Sequence, residues 1–273
     1  MTIKLVAIDI DNTLLTSAPE RKLTGENIQA INQALNLGIK VVLCSARPLA
    51  GVKRYLDQAG ITAPDQYVII DNGALAQTVT GKTVAAHILD LETVTKLIAF
   101  CQQNKLHYNV IDSVSTMCTT DHRVGFYTVQ LAAKYHAPLE VFTSSEDFTT
   151  RKFAKFGITE QSETLDKYEP IIQEKFGSDH YIVRSRPFLL EVMNKTANKG
   201  SALLALSRQL GLTPAELMAI GDEQNDLPMF TVAGLGVAMG NAVPAALEGA
   251  DEVTDDNDHS GVGKAIHKFI LET

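Results

Sequence analysis

Apolar positions follow two patterns along this chain, and the way they alternate predicts its architecture. Leu5-Val6-Ala7-Ile8 is an unbroken apolar run with β-branched residues, as expected for a strand buried on both faces of a parallel sheet. From Thr24 to Asn36, Ile28, Ile31 and Leu35 recur at helical spacing, and Gly38 supplies a stop. Ile39 to Cys44 predicts a second buried strand and Pro48 to Ala59 a helix closed by Gly60. Tyr67 to Ile70 predicts a third strand, ending at Asp71-Asn72-Gly73. Strand, helix, strand, helix, strand with short connections is the signature of a doubly wound α/β sheet.

The pattern changes after Gly73. Leu75 to Val79 and Thr83 to Ile88 flank Thr80-Gly81-Lys82 as a hairpin. Helical windows at Leu91 to Gln103 and Gln161 to Phe176 then mix with short strands at Tyr108 to Ile111, Tyr181 to Arg184 and Phe188 to Met193, without strict alternation. The doubly wound pattern resumes with a helix opening at Lys199-Gly200 and running to Leu210. Thr213-Pro214-Ala215-Glu216 combines a capping box with proline at the first helical position. Strands follow at Leu217 to Ile220 and Leu235 to Met239, and a terminal helix at Gly263 to Leu271. The expectation is a mostly parallel α/β core at residues 1–84 and 191–273, split by an inserted α+β domain at residues 85–190.

Composition narrows the function classes. The 273 residues are 45% hydrophobic, and 24 Lys and Arg against 32 Asp and Glu give a net charge of −8. An acidic chain lacks the basic footprint of nucleic-acid binding, and the absence of Trp weakens any base-stacking reading. No window approaches the length of apolar sequence needed to span a membrane. The N-terminus runs straight into a strand without the marks of a signal peptide. Cys44, Cys101 and Cys118 are odd in number and widely spaced, which argues against a disulfide framework and a structural zinc. We therefore expect a cytoplasmic protein.

Ligands of open α/β sheets bind beyond the carboxyl ends of the strands. The first strand runs into Asp9-Ile10-Asp11-Asn12-Thr13, the second into Ser45-Ala46-Arg47, and the strand through Ile220 into Gly221-Asp222-Glu223-Gln224-Asn225-Asp226. Lys199 opens the helix after the insertion. If these ends meet, four carboxylates (Asp9, Asp11, Asp222, Asp226) share a crevice, where each close pair repels by roughly 4 kcal/mol. A cation relieves that repulsion, and an all-oxygen donor set suits Mg²⁺ and not zinc. Asp9 and Asp11, two apart, share a face of extended chain. A serine hydroxyl, a lysine and backbone amides are suitable donors to a phosphoryl group. The set describes phosphoryl transfer, with one carboxylate as nucleophile and the other as acid and base.

These motifs resemble the haloacid dehalogenase-like (HAD) superfamily. The tail resembles its Cof-type members in Gly234 to Asn241, Ala250 to Thr254 and Asp258 to Gly261, as does Asp71-Asn72-Gly73-Ala74. The resemblance covers both core segments; across the insertion it rests on position and size. It implies a type-IIB cap and a Mg²⁺-dependent phosphatase acting on small phosphate esters, often sugar phosphates. It makes Asp9 the nucleophile and a metal ligand, Asp11 the general acid and base and a ligand through its backbone carbonyl, and Asp222 the third ligand. Phosphate falls to the backbone at Ile10, to Ser45, Ala46, Lys199 and Asn225, with Thr13 and Asp226 behind them. Two departures stand out: Ser45-Ala46-Arg47 replaces the Thr-Gly-Arg of many relatives, and no glycine precedes Lys199. Alanine has less backbone freedom than glycine, so this loop is expected to differ slightly.

Rival readings use the same residues. A phosphotransferase or mutase would pass the phosphoryl group to another hydroxyl, and a receiver-like signalling module or a catalytically silent binder would lack turnover. Receivers are about half this length and lack the Gly221-to-Asp226 motif. Asp256-Asn257-Asp258-His259-Ser260-Gly261 imitates an EF-hand start, but position twelve is His267 rather than Glu, so a solvated loop is expected. Gly234, Gly236 and Gly240 do not match a dinucleotide fingerprint, and the histidines show no metal spacing. Lys152, Arg184 and Arg186 lie in the cap, where basic residues are usually plain surface, so the sequence does not identify the substrate contacts of the cap. The partner expected is a small phosphate ester, for a monomer or homodimer.

Overall fold

The computed structural model describes residues 2–120, 123–143 and 148–272. The chain opens with β1 (Leu5–Asp9), α1 (Gly25–Asn36), β2 (Lys40–Cys44), α2 (Leu49–Gln58), β3 (Tyr67–Ile70), β4 (Leu75–Thr78) and β5 (Thr83–Ala86). Next come α3 (Leu91–Asn104), β6 (Tyr108–Asp112), β7 (Met117–Thr119), α4 (Phe126–Tyr135), β8 (Leu139–Val141), β9 (Phe153–Thr159), α5 (Ser162–Phe176), β10 (His180–Arg186) and β11 (Leu189–Asn194). It closes with α6 (Lys199–Gln209), β12 (Leu217–Gly221), α7 (Leu227–Val232), β13 (Leu235–Ala238), α8 (Pro244–Gly249), β14 (Glu252–Val253) and α9 (Gly261–Ile266).

These elements form two compact units. One holds the chain up to Ala46, Val52–Ala85 and everything from Asn198 on; the other holds Arg47–Gly51 and Ala86–Ala197. The first unit is built on an eight-stranded sheet of order β14-β13-β12-β1-β2-β3-β4-β5. Neighbours from β14 to β3 run parallel, and β4 returns antiparallel to β3. Leu5 and Ala7 of β1 pack with Val42, Cys44 and Ile69 against Ala202, Leu203 and Leu206 of α6 and Met229 and Phe230 of α7. Val6 and Ile8 point the other way and are equally buried. Burial on both faces is why this strand reads as an unbroken apolar run. α1 begins where the Thr24 hydroxyl accepts from the Asn27 amide (3.2 Å), and Gly38 beyond its end adopts φ +81°. The terminal helix begins at Gly261, two residues earlier than predicted, and ends at Ile266 in a π turn over His267–Leu271.

The second unit carries a six-stranded sheet of order β10-β11-β9-β6-β7-β8. One face packs Tyr108, Val110, Phe156, Ile158 and Val192 against Val94, Leu97 and Ile98 of α3 and Leu165 and Ile172 of α5. On the other, Leu131, Ala132 and Tyr135 of α4 meet Ile111, Met117 and Leu189. β9 lies inside this sheet, yet its sequence predicts no strand. Lys155 and Gly157, on the face opposite Phe156 and Ile158, interrupt its apolar run, and Lys155 is neutralised by a buried ion pair to Glu191 of β11 (2.8 Å). The patterning likewise predicts none of β7, α4, β8, α7, α8 and β14. The patterning placed the return to the first unit at residue 190; the structure places it after Ala197, because β11 pairs with β9 and β10. Among the described residues no helix is long and apolar enough to cross a membrane, and all three cysteines are buried and outside any disulfide.

Candidate active site

β1 and β12 are parallel neighbours with Ile8 opposite Ile220, so Asp9 and, one residue past β12, Asp222 emerge together at the carboxyl edge of the sheet. β2 ends at Cys44, opposite Asp9, which brings Ser45 to the same edge. Lys199 is the first residue of α6, whose start is held by the Asn198 side chain accepting from the Ser201 amide (2.8 Å). That cap keeps Asn198 in extended backbone, so the missing glycine before Lys199 is not needed.

Carboxylate oxygens of Asp9, Asp222 and Asp226 all lie within 4.8 Å of one another, and all three residues are buried. Lys199, 1% exposed, places Nζ 2.5 Å from Asp9 Oδ1 and 2.6 Å from Asp226 Oδ1. Asp226 Oδ2 accepts from the backbone amides of Asp222 (2.9 Å) and Glu223 (3.0 Å), so both its oxygens are engaged. The close approach needs Gly221: a Cβ there would sit 2.5 Å from the Asp226 carboxyl carbon. Thr13, fully buried, donates its hydroxyl to Asp222 Oδ1 (2.6 Å).

The charges do not balance within the protein. With all three carboxylates ionised, the single ammonium would leave an excess of two negative charges in a buried site. Burial raises the Asp9 carboxyl well above its ordinary range, opposed by Lys199 and reinforced by Asp226 and Asp222. Burial likewise pushes Asp222 up to about 6, against the hydrogen bond from Thr13. Burial disfavours charge on Lys199, but Asp226 and Asp9 outweigh it and hold the ammonium protonated. A hard divalent cation fits this all-oxygen set and its charge deficit. With Asp226 saturated, Asp9 and Asp222 are the carboxylates suited to hold it, since each engages one oxygen, Oδ1, in the contacts above.

Asp11 lies outside this group. The shared-face expectation assumed extended chain, but the backbone enters a π turn at Ile10–Leu14, broken at Asp11 (φ −77°, ψ 122°) and Asn12 (φ 62°, ψ 7°). Asp11 instead accepts from Arg21 Nη1 at 3.2 Å in a partly exposed pair. Three carboxylates converge, not four. The π turn and the residue after it are held by three asparagines: Asn241 Nδ2 donates to Asn12 O (2.8 Å), Asn257 Nδ2 to Leu15 O (2.9 Å) and Asn27 Nδ2 to Leu14 O (3.4 Å). Asn27 and Asn257 had no sequence signal, because their partners are backbone carbonyls distant in the chain.

Ser45 is buried; its amide donates to Ile69 O (2.8 Å) and its carbonyl accepts from the Asn72 amide (2.9 Å). Ala46 is not among the residues of positive φ, so this turn requires nothing that only glycine supplies. Ile10 is buried, and its carbonyl accepts from Leu15 (3.0 Å). Asn225 Nδ2 donates to Asn72 Oδ1 (3.0 Å). In the second unit, Arg184 is taken up by Asp166 (2.5 Å), Glu169 (3.2 Å) and the Ser162 hydroxyl (2.8 Å), a structural role. The EF-hand-like loop uses Asp256 Oδ1 to accept from the amides of Asp258 (3.0 Å) and His259 (2.9 Å), holding its own turn.

Comparison with known proteins identifies the family. The family model of haloacid dehalogenase-like hydrolases matches residues 6–266. The Bacillus subtilis protein named "Putative phosphatase YxeH" is 36% identical over 269 residues, covering 98% of each chain. A second B. subtilis protein, named 5-amino-6-(5-phospho-D-ribitylamino)uracil phosphatase YcsE, is 29% identical over 269 residues, covering 98% of this chain and 96% of the relative. The crystal structure of a haloacid dehalogenase-like hydrolase from Bacteroides thetaiotaomicron superposes with a TM-score of 0.88 at 27% identity, covering 98% of this chain and 100% of that one. With its α/β core and acidic strand ends, this chain belongs to the haloacid dehalogenase-like hydrolase family.

Proposed function

We propose that the chain is a Mg²⁺-dependent phosphatase of small phosphate monoesters, sugar phosphates or related metabolites, working through a phosphorylated Asp9. The observation that carries this reading is the buried Asp9–Lys199–Asp226 arrangement beside Asp222, in which three carboxylates face a single ammonium. The phosphatase names of its relatives, one of them acting on a phosphorylated ribityl compound, favour the same substrate class.

Lys199 keeps Asp9 aimed and opposes the burial that favours its protonated form. An Asp9 carboxylate oxygen attacks phosphorus, the ester P–O bond breaks, and the leaving oxygen takes a proton from Asp11. Water then attacks the phosphorus, gives its proton to Asp11, and breaks the Asp9–phosphorus link to release inorganic phosphate. For this, Asp11 must leave Arg21, an exposed pairing worth at most about 1 kcal/mol. Mg²⁺, held by the Asp9 and Asp222 carboxylates and the Asp11 backbone carbonyl, would supply positive charge to the phosphoryl oxygens. Ser45, the Ile10 and Ala46 backbone, Lys199 and Asn225 hold those oxygens, while Thr13 and Asp226 keep Asp222 and Lys199 in place.

The test is hydrolysis of an aryl phosphate with Mg²⁺ and with chelator, following inorganic phosphate. Stoichiometric phosphate release that needs Mg²⁺ and falls by on the order of 10³ or more in Asp9→Asn is expected. Substantial activity in Asp9→Asn removes the nucleophile assignment, and transfer to an added polyol in place of phosphate release favours the phosphotransferase reading.

A further inference from the structure

We propose that Asn72 is a positioning residue that aligns the phosphate-holding groups, acting through Asn225; this rests on the reading of the site given above. Three consecutive residues after β3 lie in the left-handed region: Asp71 (φ 50°), Asn72 (φ 57°) and Gly73 (φ 89°). Two of them are not glycine, and such a run persists only where the surroundings over-determine it. Asp71 is fully buried and Asn72 nearly so, so water does not stabilise the turn.

The contacts show what the turn is held for. The Asn72 amide donates to the carbonyl of Ser45 (2.9 Å), at the end of β2. Its side-chain Oδ1 accepts from Asn225 Nδ2 (3.0 Å), in the loop after β12. Gly73 is pressed against the start of α6: a Cβ there would lie 2.1 Å from Asn198 O and 2.7 Å from the Lys199 amide nitrogen. One three-residue turn thus touches the segments carrying Ser45, Lys199 and Asn225, which are remote from one another in sequence. The turn thereby bonds to the segments of Ser45 and Asn225 and seats against the start of α6. Asn72 is the member whose side chain does this, and the Asn225 amide is the group it orients.

A double-mutant cycle tests it. Asn72→Gly suits a left-handed backbone and deletes only the amide; Asn225→Ala deletes its partner. With an aryl phosphate and Mg²⁺, Asn72→Gly is expected to raise KM about fivefold to tenfold, and Asn225→Ala by a similar factor. In the Asn225→Ala background, Asn72→Gly is expected to add less than about twofold, with Tm little changed, whereas a merely structural residue would lower Tm and multiply its effect in both backgrounds. A KM unmoved by Asn72→Gly, or effects that multiply in the double variant, overturns the proposal while leaving the phosphatase reading intact. An unmoved KM in Asn225→Ala counts against the phosphate site itself, and against this inference with it. Should Asn72→Gly fail to fold, Asn72→Asp keeps an acceptor and tolerance of positive φ. Its KM is expected to stay within about threefold of the wild type, and a rise as large as that of Asn225→Ala overturns the proposal.

Discussion

Lys199 and Asp9 stand 190 positions apart in the chain, yet their charged atoms lie 2.5 Å apart in the interior. The same ammonium reaches Asp226 at 2.6 Å, so one cation is shared between a strand end and a loop. Removing one member of a buried ionic group leaves uncompensated charge, which costs more than the group contributes as a whole. Lys199→Met is therefore expected to destabilise the metal-free protein by about 3 kcal/mol in denaturant unfolding and to abolish aryl phosphate hydrolysis. Stability equal to wild type would mean that the two carboxylates are not both ionised around Lys199.

The raised carboxyl of Asp222 sets a pH dependence. Its value of about 6 in the folded protein lies above the ordinary 3.8, so the folded state binds the extra proton between them. The corresponding stability is fully present below the ordinary value and is lost as pH rises through about 6. In chelator, Asp222→Asn is expected to be more stable than wild type at about pH 7, and the gap to close by about pH 4. Excess Mg²⁺ is expected to raise the wild-type Tm far more at about pH 7 than at about pH 5, since a metal competes with the proton for the carboxylate. A Tm gap independent of pH would show that Asp222 titrates at its ordinary value.

Lys155 and Glu191 test the second unit without touching the proposed chemistry. Their ion pair spans β9 and β11 at 2.8 Å and is almost fully buried. Glu191→Gln is expected to destabilise by about 3 kcal/mol, whereas Lys155→Met combined with Glu191→Leu should be near neutral, because apolar replacement removes both charges together. Equilibrium unfolding of both variants decides; equal losses would indicate that packing, and not charge, is at stake.

Local periodicity reports which side of a strand or helix each residue presents, and that much was legible. Leu5 to Ile8, Ile39 to Cys44 and Leu217 to Ile220 read as strands because burial on both faces forces apolar side chains at every position. Their polar ends therefore mark Asp9, Ser45 and Asp222 in the sequence itself. Period failed where burial was satisfied by pairing instead of by apolar side chains, as at Lys155 in β9, so an inner strand of the second sheet went unseen.

What tertiary structure alone decided is which of those ends meet, and how. It turned the Asp11 carboxylate to Arg21, tied Thr13 to Asp222, gave both oxygens of Asp226 to Lys199 and backbone amides, and joined Asn72 to Asn225. Such pairings depend on strand order and on backbone turns such as Ile10–Leu14, which arise from packing across the whole unit and leave no periodic trace in the chain. The sequence determined the chemical groups and the strand ends that carry them; packing determined their partners.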